Sequence, residues 1–130
     1  MTIHTCSAAR LTDETFALAE GPVWFTDRNA FVFVDIEGKA VCEWAAPRDF
    51  ETDWKAVIRR IPAPNRVGFI VPVDETHALA GVRDTLMLLN LDTGEFTPYF
   101  SLNLDSRLRF NDGKCGPDGT LYAGVMAIDQ

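Results

Sequence analysis

Two short segments hold side chains that could do chemistry. The first contains Glu20, which precedes Gly21 and Pro22, and the second contains Arg109 with Asn111 two positions later. A carboxylate oxygen is a ligand for hard cations such as Ca²⁺ and Mg²⁺ and is also accepted by Zn²⁺. On a strand, residues i and i+2 share a face, so the guanidinium and the amide would point the same way. Together they could present several donors and an acceptor to the hydroxyl and carbonyl oxygens of a small ligand.

Each candidate also has a simpler interpretation. An isolated Glu beside Gly-Pro is usually a solvated loop residue, and one carboxylate does not make a metal site. Asn111 could stabilise a turn while Arg109 pairs with a surface acid. From the residues alone, both interpretations stay open.

The two segments resemble motifs of the family of gluconolactonase, regucalcin (the senescence marker protein) and the luciferin-regenerating enzyme. Members of this family are six-bladed β-propellers that hold one divalent metal ion at the mouth of the central channel, and many hydrolyse sugar lactones. They are considerably longer than this chain, so the resemblance implies the N-terminal part of a propeller. The matching motifs cover nearly the whole chain and are AEGPVW at 19–24, FVDI at 33–36, VGFI at 67–70, GVRD at 81–84, NLDTGE at 90–95 and RFNDGK at 109–114.

The resemblance implies a role for each candidate residue. Glu20 matches the family's metal-binding Glu, and the ion would be Ca²⁺, Zn²⁺, Mn²⁺ or Mg²⁺. Arg109 and Asn111 match residues that bind the sugar lactone, and Asp129 falls near an acidic substrate contact of some relatives. The family completes the metal site with an Asn and an Asp from later blades, and that Asp is also the catalytic base. Both are expected beyond Gln130, so no catalytic residue is assigned in this chain.

The implied activity is metal-dependent hydrolysis of a sugar lactone by a full-length parent, with this chain supplying part of the site. A second hypothesis, from a different class, is a non-catalytic calcium-binding or regulatory protein. A related one is an inactive fragment that needs a partner half. Turnover of gluconolactone by the purified chain would separate these hypotheses.

Short strands would position the candidate residues. Short apolar or alternating runs end at turns rich in Gly, Asp, Asn and Pro, which is an all-β pattern. Residues 51–61 could also form an amphipathic helix, but the β-branched pair Val57 and Ile58 favours a strand. The predicted strands are Phe16 to Leu18, Gly21 to Phe25, Ala30 to Asp35, Ala40 to Ala45, Lys55 to Ile61, Val67 to Pro72, His77 to Val82, Thr85 to Asn90, Phe96 to Phe100, Asp112 to Cys115 and Leu121 to Met126.

A repeat predicts that these strands form a β-propeller. Gly21, Gly68 and Gly113 each open an apolar strand followed by a turn and a second strand, at intervals of 47 (21 to 68) and 45 (68 to 113) residues. A period near 45 residues with four strands per unit is typical of propeller blades. We therefore expect an incomplete propeller of about two and a half blades. Blade one would span about 14–61, blade two about 62–100 and partial blade three about 101–130.

Two and a half blades would leave an apolar flank and an unpaired edge at Leu121 to Met126. We therefore expect association with a C-terminal half or with a second copy of the chain.

Composition argues against several other functions. The 130 residues carry 12 Lys and Arg against 19 Asp and Glu, a net charge of −7, which disfavours nucleic acid and anionic membranes as partners. No apolar run approaches the ~20 residues of a membrane span and the N-terminus has no signal-peptide pattern, so we expect a cytoplasmic protein. The histidines, His4 and His77, favour neither a Ser-His-Asp triad nor a zinc site. Three cysteines without a CxxC pair favour reduced thiols.

Overall fold

The computed structural model describes residues 1–46 and 57–129, and their regular structure is almost entirely antiparallel β-strand. Sheet I contains four strands, sheet II four and sheet III two, and consecutive strands are neighbours in each sheet. Among these residues one 3-10 turn is found, Thr26–Arg28, and it follows the first strand. The strands are β1 (Ala19–Phe25), β2 (Ala30–Asp35), β3 (Ala40–Ala45) and β4 (Arg59–Pro62) in sheet I, β5 (Val67–Pro72), β6 (His77–Val82), β7 (Thr85–Asn90) and β8 (Phe96–Ser101) in sheet II, and β9 (Leu108–Cys115) and β10 (Leu121–Ala127) in sheet III.

Five strands, β2, β3, β5, β6 and β7, have the bounds that the sequence predicts. The prediction of a strand at Phe16 to Leu18 is wrong. The main-chain N–H groups of Ala17 and Leu18 donate to the carboxylate of Asp35, at 3.1 and 2.8 Å, and this side-chain acceptor replaces a partner strand. The predicted strand Lys55 to Ile61 lies partly outside the described residues, and so does the helix considered at 51–61.

The first strand of each sheet (β1, β5 or β9), which we call its inner strand, contains a β-bulge. A bulge places an extra residue opposite the neighbouring strand and bends the strand locally. At the first of these positions Gly21 has φ +59°, a conformation that favours glycine. The bulged residues are Gly21 and Pro22 in β1, Gly68 in β5, and Asn111 and Asp112 in β9.

The bulge in β9 corrects two predictions. Strand β9 begins at Leu108 instead of Asp112, because pairing with β10 continues on both sides of the bulge. Gly113 therefore does not open its strand but is its sixth residue. In the structural repeat, Asn111 and not Gly113 occupies the position of Gly21 and Gly68.

Two apolar layers join the three sheets. Sheets I and II bury one layer of aliphatic side chains and Phe25 between them. Sheets II and III meet at Phe69, Val71 and Phe110. The Phe69 ring lies against the backbone at Gly81 and Gly113, where a Cβ atom on either glycine would overlap it. Close packing of this ring thus explains why both positions lack a side chain.

Residues 11–18 lie across the face of sheet I that is turned away from sheet II. The ring of Phe16 meets that of Phe33 edge-on with centroids 5.0 Å apart, and Leu11 joins the same apolar cluster. The Arg60 guanidinium lies 4.3 Å from the Phe16 ring centroid and donates to the main-chain oxygen of Thr15 at 2.8 Å. The segment before β1 is therefore held on the sheet by both packing and hydrogen bonds.

Strand β10 lies at the margin of the described sheets. It pairs with β9 and with no other described strand. Tyr122 and Val125 on this strand are 65% and 44% exposed, and Phe100 and Leu102 near the end of β8 are also exposed. A sheet margin with such side chains is a surface on which another strand could pair.

Candidate functional site

The three inner strands begin at the same end of the molecule, which we call the upper end. Glu37, in the turn after β2, forms an ion pair with Arg66, which immediately precedes β5. Arg83, in the turn after β6, accepts a main-chain hydrogen bond from Phe110 near the start of β9. Because the turn after β2 adjoins the start of β1, Glu20 lies at this end as well. The topology therefore gathers the beginnings of β1, β5 and β9.

Glu20 is exposed, and its carboxylate has no hydrogen bond or ion pair with any described residue. It lines a cavity of about 300 Å³, whose other walls include Leu11, Phe16, Phe31 and Ile58. The residues that line this cavity do not include Arg109 or Asn111. Glu20, Arg109 and Asn111 thus lie at one end of the molecule, but of the three only Glu20 lines this cavity.

Glu20 can serve as one ligand of a divalent metal ion, since its carboxylate is accessible and is unpaired among the described residues. Within residues 1–46 and 57–129, no group of three His, Cys, Asp or Glu side chains could hold a metal ion. Glu20 is therefore a candidate ligand without a three-residue group around it in the described part of the chain.

Arg109 is a buried arginine with an incomplete set of partners. It is 5% exposed, and its Nη1 donates to the main-chain oxygen of Phe110 at 2.8 Å. Its Nε is buried and has no hydrogen-bond partner among the described residues. A buried donor without an acceptor costs free energy. The alternative of an Arg109 ion pair with a surface acid is not found in the described part of the chain.

Asn111 lies in the bulge of β9 and is partly buried. It belongs to a strand and not to a turn, which removes the simpler interpretation of this residue. The intervening Phe110 is buried between sheets II and III, with its ring centroid 5.4 Å from that of Phe69. Bulges are frequent beside functional sites because they re-aim side chains at the rim of a sheet.

Asp129 follows β10 and is exposed. Met126 pairs with Arg109 across the sheet, and Ile128 donates a main-chain hydrogen bond to Arg107 at 2.8 Å. Asp129 therefore lies at the upper end too. Its contact with a substrate stays a prediction.

Two arginines and two acids at the upper end were not singled out from the sequence. Arg66 Nε donates to both carboxylate oxygens of Glu37, at 2.9 and 3.0 Å. This hydrogen bond lowers the pKa of Glu37, and the charges of Arg66, Arg109 and Lys39 lower it further. Arg83 Nη2 donates to the carboxylate of Asp84. Arg66 and Arg109 each lie two residues before the first bulged residue of an inner strand, an equivalence that depends on strand register and is not visible in the sequence.

The lower end holds a different ionic cluster. The buried Glu43 accepts from Arg28 Nε at 2.9 Å and lies 3.4 Å from Arg59 Nη1. Arg28 also reaches Asp92 of sheet II at 2.8 Å. This cluster ties the two sheets together and leaves its buried charge fully paired.

No helix in the described part of the chain is long and apolar enough to cross a membrane.

Comparison with known proteins identifies the family. Residues 18–130 match the SMP-30/Gluconolactonase/LRE-like region. The chain is 27% identical to regucalcin of Xenopus laevis over 119 residues, which are 90% of this chain and 37% of that protein. It is 30% identical to L-arabinolactonase of Azospirillum brasilense over 125 residues, which are 95% of this chain and 39% of that protein.

Solved structures of relatives share the fold. A luciferin-regenerating enzyme superposes with a TM-score of 0.72 at 23% identity, over 88% of this chain and 38% of that one. A regucalcin of Agrobacterium tumefaciens, described as a calcium-binding protein, gives 0.76 at 22% identity, over 91% of this chain and 38% of that one. The chain thus spans less than two fifths of the length of these relatives. The resemblance expected from the motifs is confirmed, and the chain belongs to the SMP-30/gluconolactonase/LRE-like family.

Proposed function

We propose that this chain supplies part of the active site of a cytoplasmic enzyme that hydrolyses a sugar lactone with the help of one divalent metal ion. One relative is named for hydrolysis of an arabinose-derived lactone, and the family is named in part for gluconolactonase. The observation that carries the proposal is the buried Arg109, whose Nε lacks a partner among the described residues, two residues from Asn111 at the upper end.

Glu20 would hold the metal ion, because its carboxylate is accessible and is not engaged by a described residue. When bound, the ion (Ca²⁺, Zn²⁺, Mn²⁺ or Mg²⁺) would polarise the lactone carbonyl and stabilise the negative charge that develops on its oxygen.

Arg109 and Asn111 would orient the sugar. The guanidinium offers donors to hydroxyl and carbonyl oxygens, and the Asn amide offers both a donor and an acceptor. Packing of Phe110 on Phe69 fixes the part of β9 that carries Arg109 and Asn111. Such a rigid support favours a precise substrate position. Asp129 would accept a hydrogen bond from a sugar hydroxyl.

The remaining metal ligands and the catalytic base would come from outside this chain. Sheets I, II and III would be blade one, blade two and part of blade three of a single six-bladed propeller domain. The margin of β10, with Tyr122 and Val125 exposed, would receive a C-terminal half or a second copy.

The alternative is a calcium-binding or regulatory protein without catalysis. It is favoured by the relatives named regucalcin and by the description of the Agrobacterium tumefaciens protein as calcium-binding.

Lactone turnover and metal binding together test these proposals. Hydrolysis of D-glucono-1,5-lactone and of L-arabinono-1,4-lactone would be measured as acid release, with and without a chelator. The protein would be a propeller completed to the length of the relatives. Turnover that is lost with the chelator supports the enzyme. Calcium binding by titration calorimetry without turnover of either lactone supports the regulatory protein.

A further inference from the structure

Arginines at the two ends of the molecule use their hydrogen-bond donors differently. At the lower end, Arg28 donates from all three guanidinium nitrogens, and Arg59 donates from both terminal nitrogens. At the upper end, Arg66, Arg83 and Arg109 each donate from one nitrogen to a described residue. Arg28 and Arg59 act as structural ties, whereas Arg66, Arg83 and Arg109, which we call the upper arginines, keep donors in reserve. Arg107 at the same end is exposed and paired with Asp105.

The three upper arginines are neighbours through the backbone. The main-chain N–H of Arg83 donates to the oxygen of Arg66 at 2.8 Å, and the N–H of Phe110 donates to the oxygen of Arg83. Arg66 and Arg109 also occupy the same position relative to the bulges of adjacent inner strands. Their backbones therefore lie next to one another at the upper end.

Two of the reserved donors are buried. Arg109 Nε and Arg83 Nη1 lie in the interior without a described acceptor, and Arg109 as a whole is 5% exposed. The acids that contact these three guanidinium groups are Glu37 and Asp84, so positive charge exceeds negative charge in the cluster. This local excess contrasts with the net charge of −7 on the chain.

We propose that the upper arginines bind a carboxylate of the substrate, with Arg66 as a second substrate-binding residue beside Arg109. The substrate class is then the monolactone of an aldaric acid, whose second carboxyl group stays free outside the lactone ring. The guanidinium fork matches a carboxylate in two-point hydrogen bonding. Glu37 holds Arg66 in the free protein and yields to the ligand. The lactone part of this inference rests on the proposed function, whereas the carboxylate site does not.

Two matched probes that no lactonase can hydrolyse test the carboxylate site in the 130-residue chain. Titration calorimetry at low ionic strength would compare methyl β-D-glucopyranosiduronate with the neutral methyl β-D-glucopyranoside. We expect the anionic probe to bind roughly tenfold more tightly, as charge-assisted hydrogen bonds are about twice as strong as neutral ones. Equal affinities, or tighter binding of glucose 6-phosphate than of the glucuronide, would overturn the proposal.

Variants separate a binding role from a structural one. Arg66→Gln should lower the affinity for the anionic probe about tenfold and change the affinity for the neutral probe by no more than about twofold. Arg107→Gln is the control, because Arg107 is at the same end but is exposed and paired with Asp105. Glu37→Gln should strengthen binding of the anionic probe by freeing Arg66. If Glu37→Gln weakened both probes alike, the pair would be structural and the proposal wrong.

The two proposals fail in different ways. Anion preference without turnover of any lactone in the completed propeller refutes the lactonase and leaves the carboxylate site. Turnover of neutral and carboxylate-bearing lactones at equal kcat/KM, with equal probe affinities, refutes the carboxylate site and leaves the lactonase.

Discussion

The ring of Phe69 meets the ring of Phe110 edge-on, with centroids 5.4 Å apart and planes at 82°. This contact joins sheet II to the strand that carries Arg109 and Asn111. Edge-to-face aromatic pairs add to the free energy of burial, so the contact both stabilises the molecule and fixes the position of β9.

Truncation of Phe69 should therefore destabilise the chain strongly. We expect Phe69→Ala to lower the free energy of unfolding by about 3–5 kcal/mol, measured by urea denaturation. Gly81→Ala should cost about 1–3 kcal/mol, because its new methyl group overlaps the ring. Phe100→Ala, at an exposed position, should stay within about 0.5 kcal/mol of the parent. A Phe69→Ala chain as stable as Phe100→Ala would contradict the central role of this ring.

Replacement of Glu20 tests the metal ligand. In a completed propeller, Glu20→Gln should weaken divalent metal binding strongly, since a neutral oxygen replaces a charged ligand, and lactone turnover should fall with it. Glu95→Gln, in the exposed turn before β8, is the matched control and should leave metal affinity unchanged. Calorimetric titration of the metal gives the answer directly. Unaltered affinity in Glu20→Gln would remove Glu20 from the site.

Replacement of Arg109 tests the substrate contact. Arg109→Ala should raise KM for the lactone by about tenfold or more and leave metal affinity nearly intact, because hydrogen bonds to the substrate are lost. Steady-state kinetics and metal titration on the same preparation measure both. The exposed Arg107→Ala serves as the control. If Arg109→Ala abolished metal binding while Glu20→Gln did not, the assigned roles would be reversed.

Asp35 makes stability depend on pH. Burial alone would raise its pKa, but hydrogen bonds from the main-chain N–H groups of Leu18, Ala17 and Gly38 and the charge of Arg60 outweigh burial and lower it. Because the folded pKa lies below the unfolded one, the unfolded chain binds more protons as the pH falls. The stabilising contribution is therefore complete at neutral pH and is lost below about pH 4.

Asp35→Asn should accordingly lower the free energy of unfolding more at pH 7 than at pH 3. Urea denaturation of parent and variant at both values measures the difference. Asp27→Asn, in the exposed 3-10 turn, should cost little at either pH. An Asp35→Asn effect of the same size at both pH values would show that the carboxylate charge has no part in it.

The sequence predicts the strands far better than the contacts that shape the site. A short apolar run bounded by turn residues suffices for a strand such as Val67–Pro72, since both signals are local. The bulge at Asn111 depends on the register with β10, and the ion pair of Glu37 with Arg66 joins two sheets. Neither can be found from neighbours along the chain. From the sequence, Asp35 is likewise predicted only as the last residue of a strand. Its carboxylate accepts the main-chain hydrogen bonds of Ala17 and Leu18 that a partner strand would otherwise accept.

The strictly consecutive order of strands also bears on how the molecule forms. Each described strand pair joins neighbours in sequence, so a sheet can assemble by successive hairpins at little cost in loop-closure entropy. Sheet I can then form while later residues are still being synthesised, and sheet II can pack against its apolar face as it forms. During folding, we expect protection from amide hydrogen exchange to appear first in β2 and β3. The contact between Phe69 and Phe110 should form only after β9 has formed.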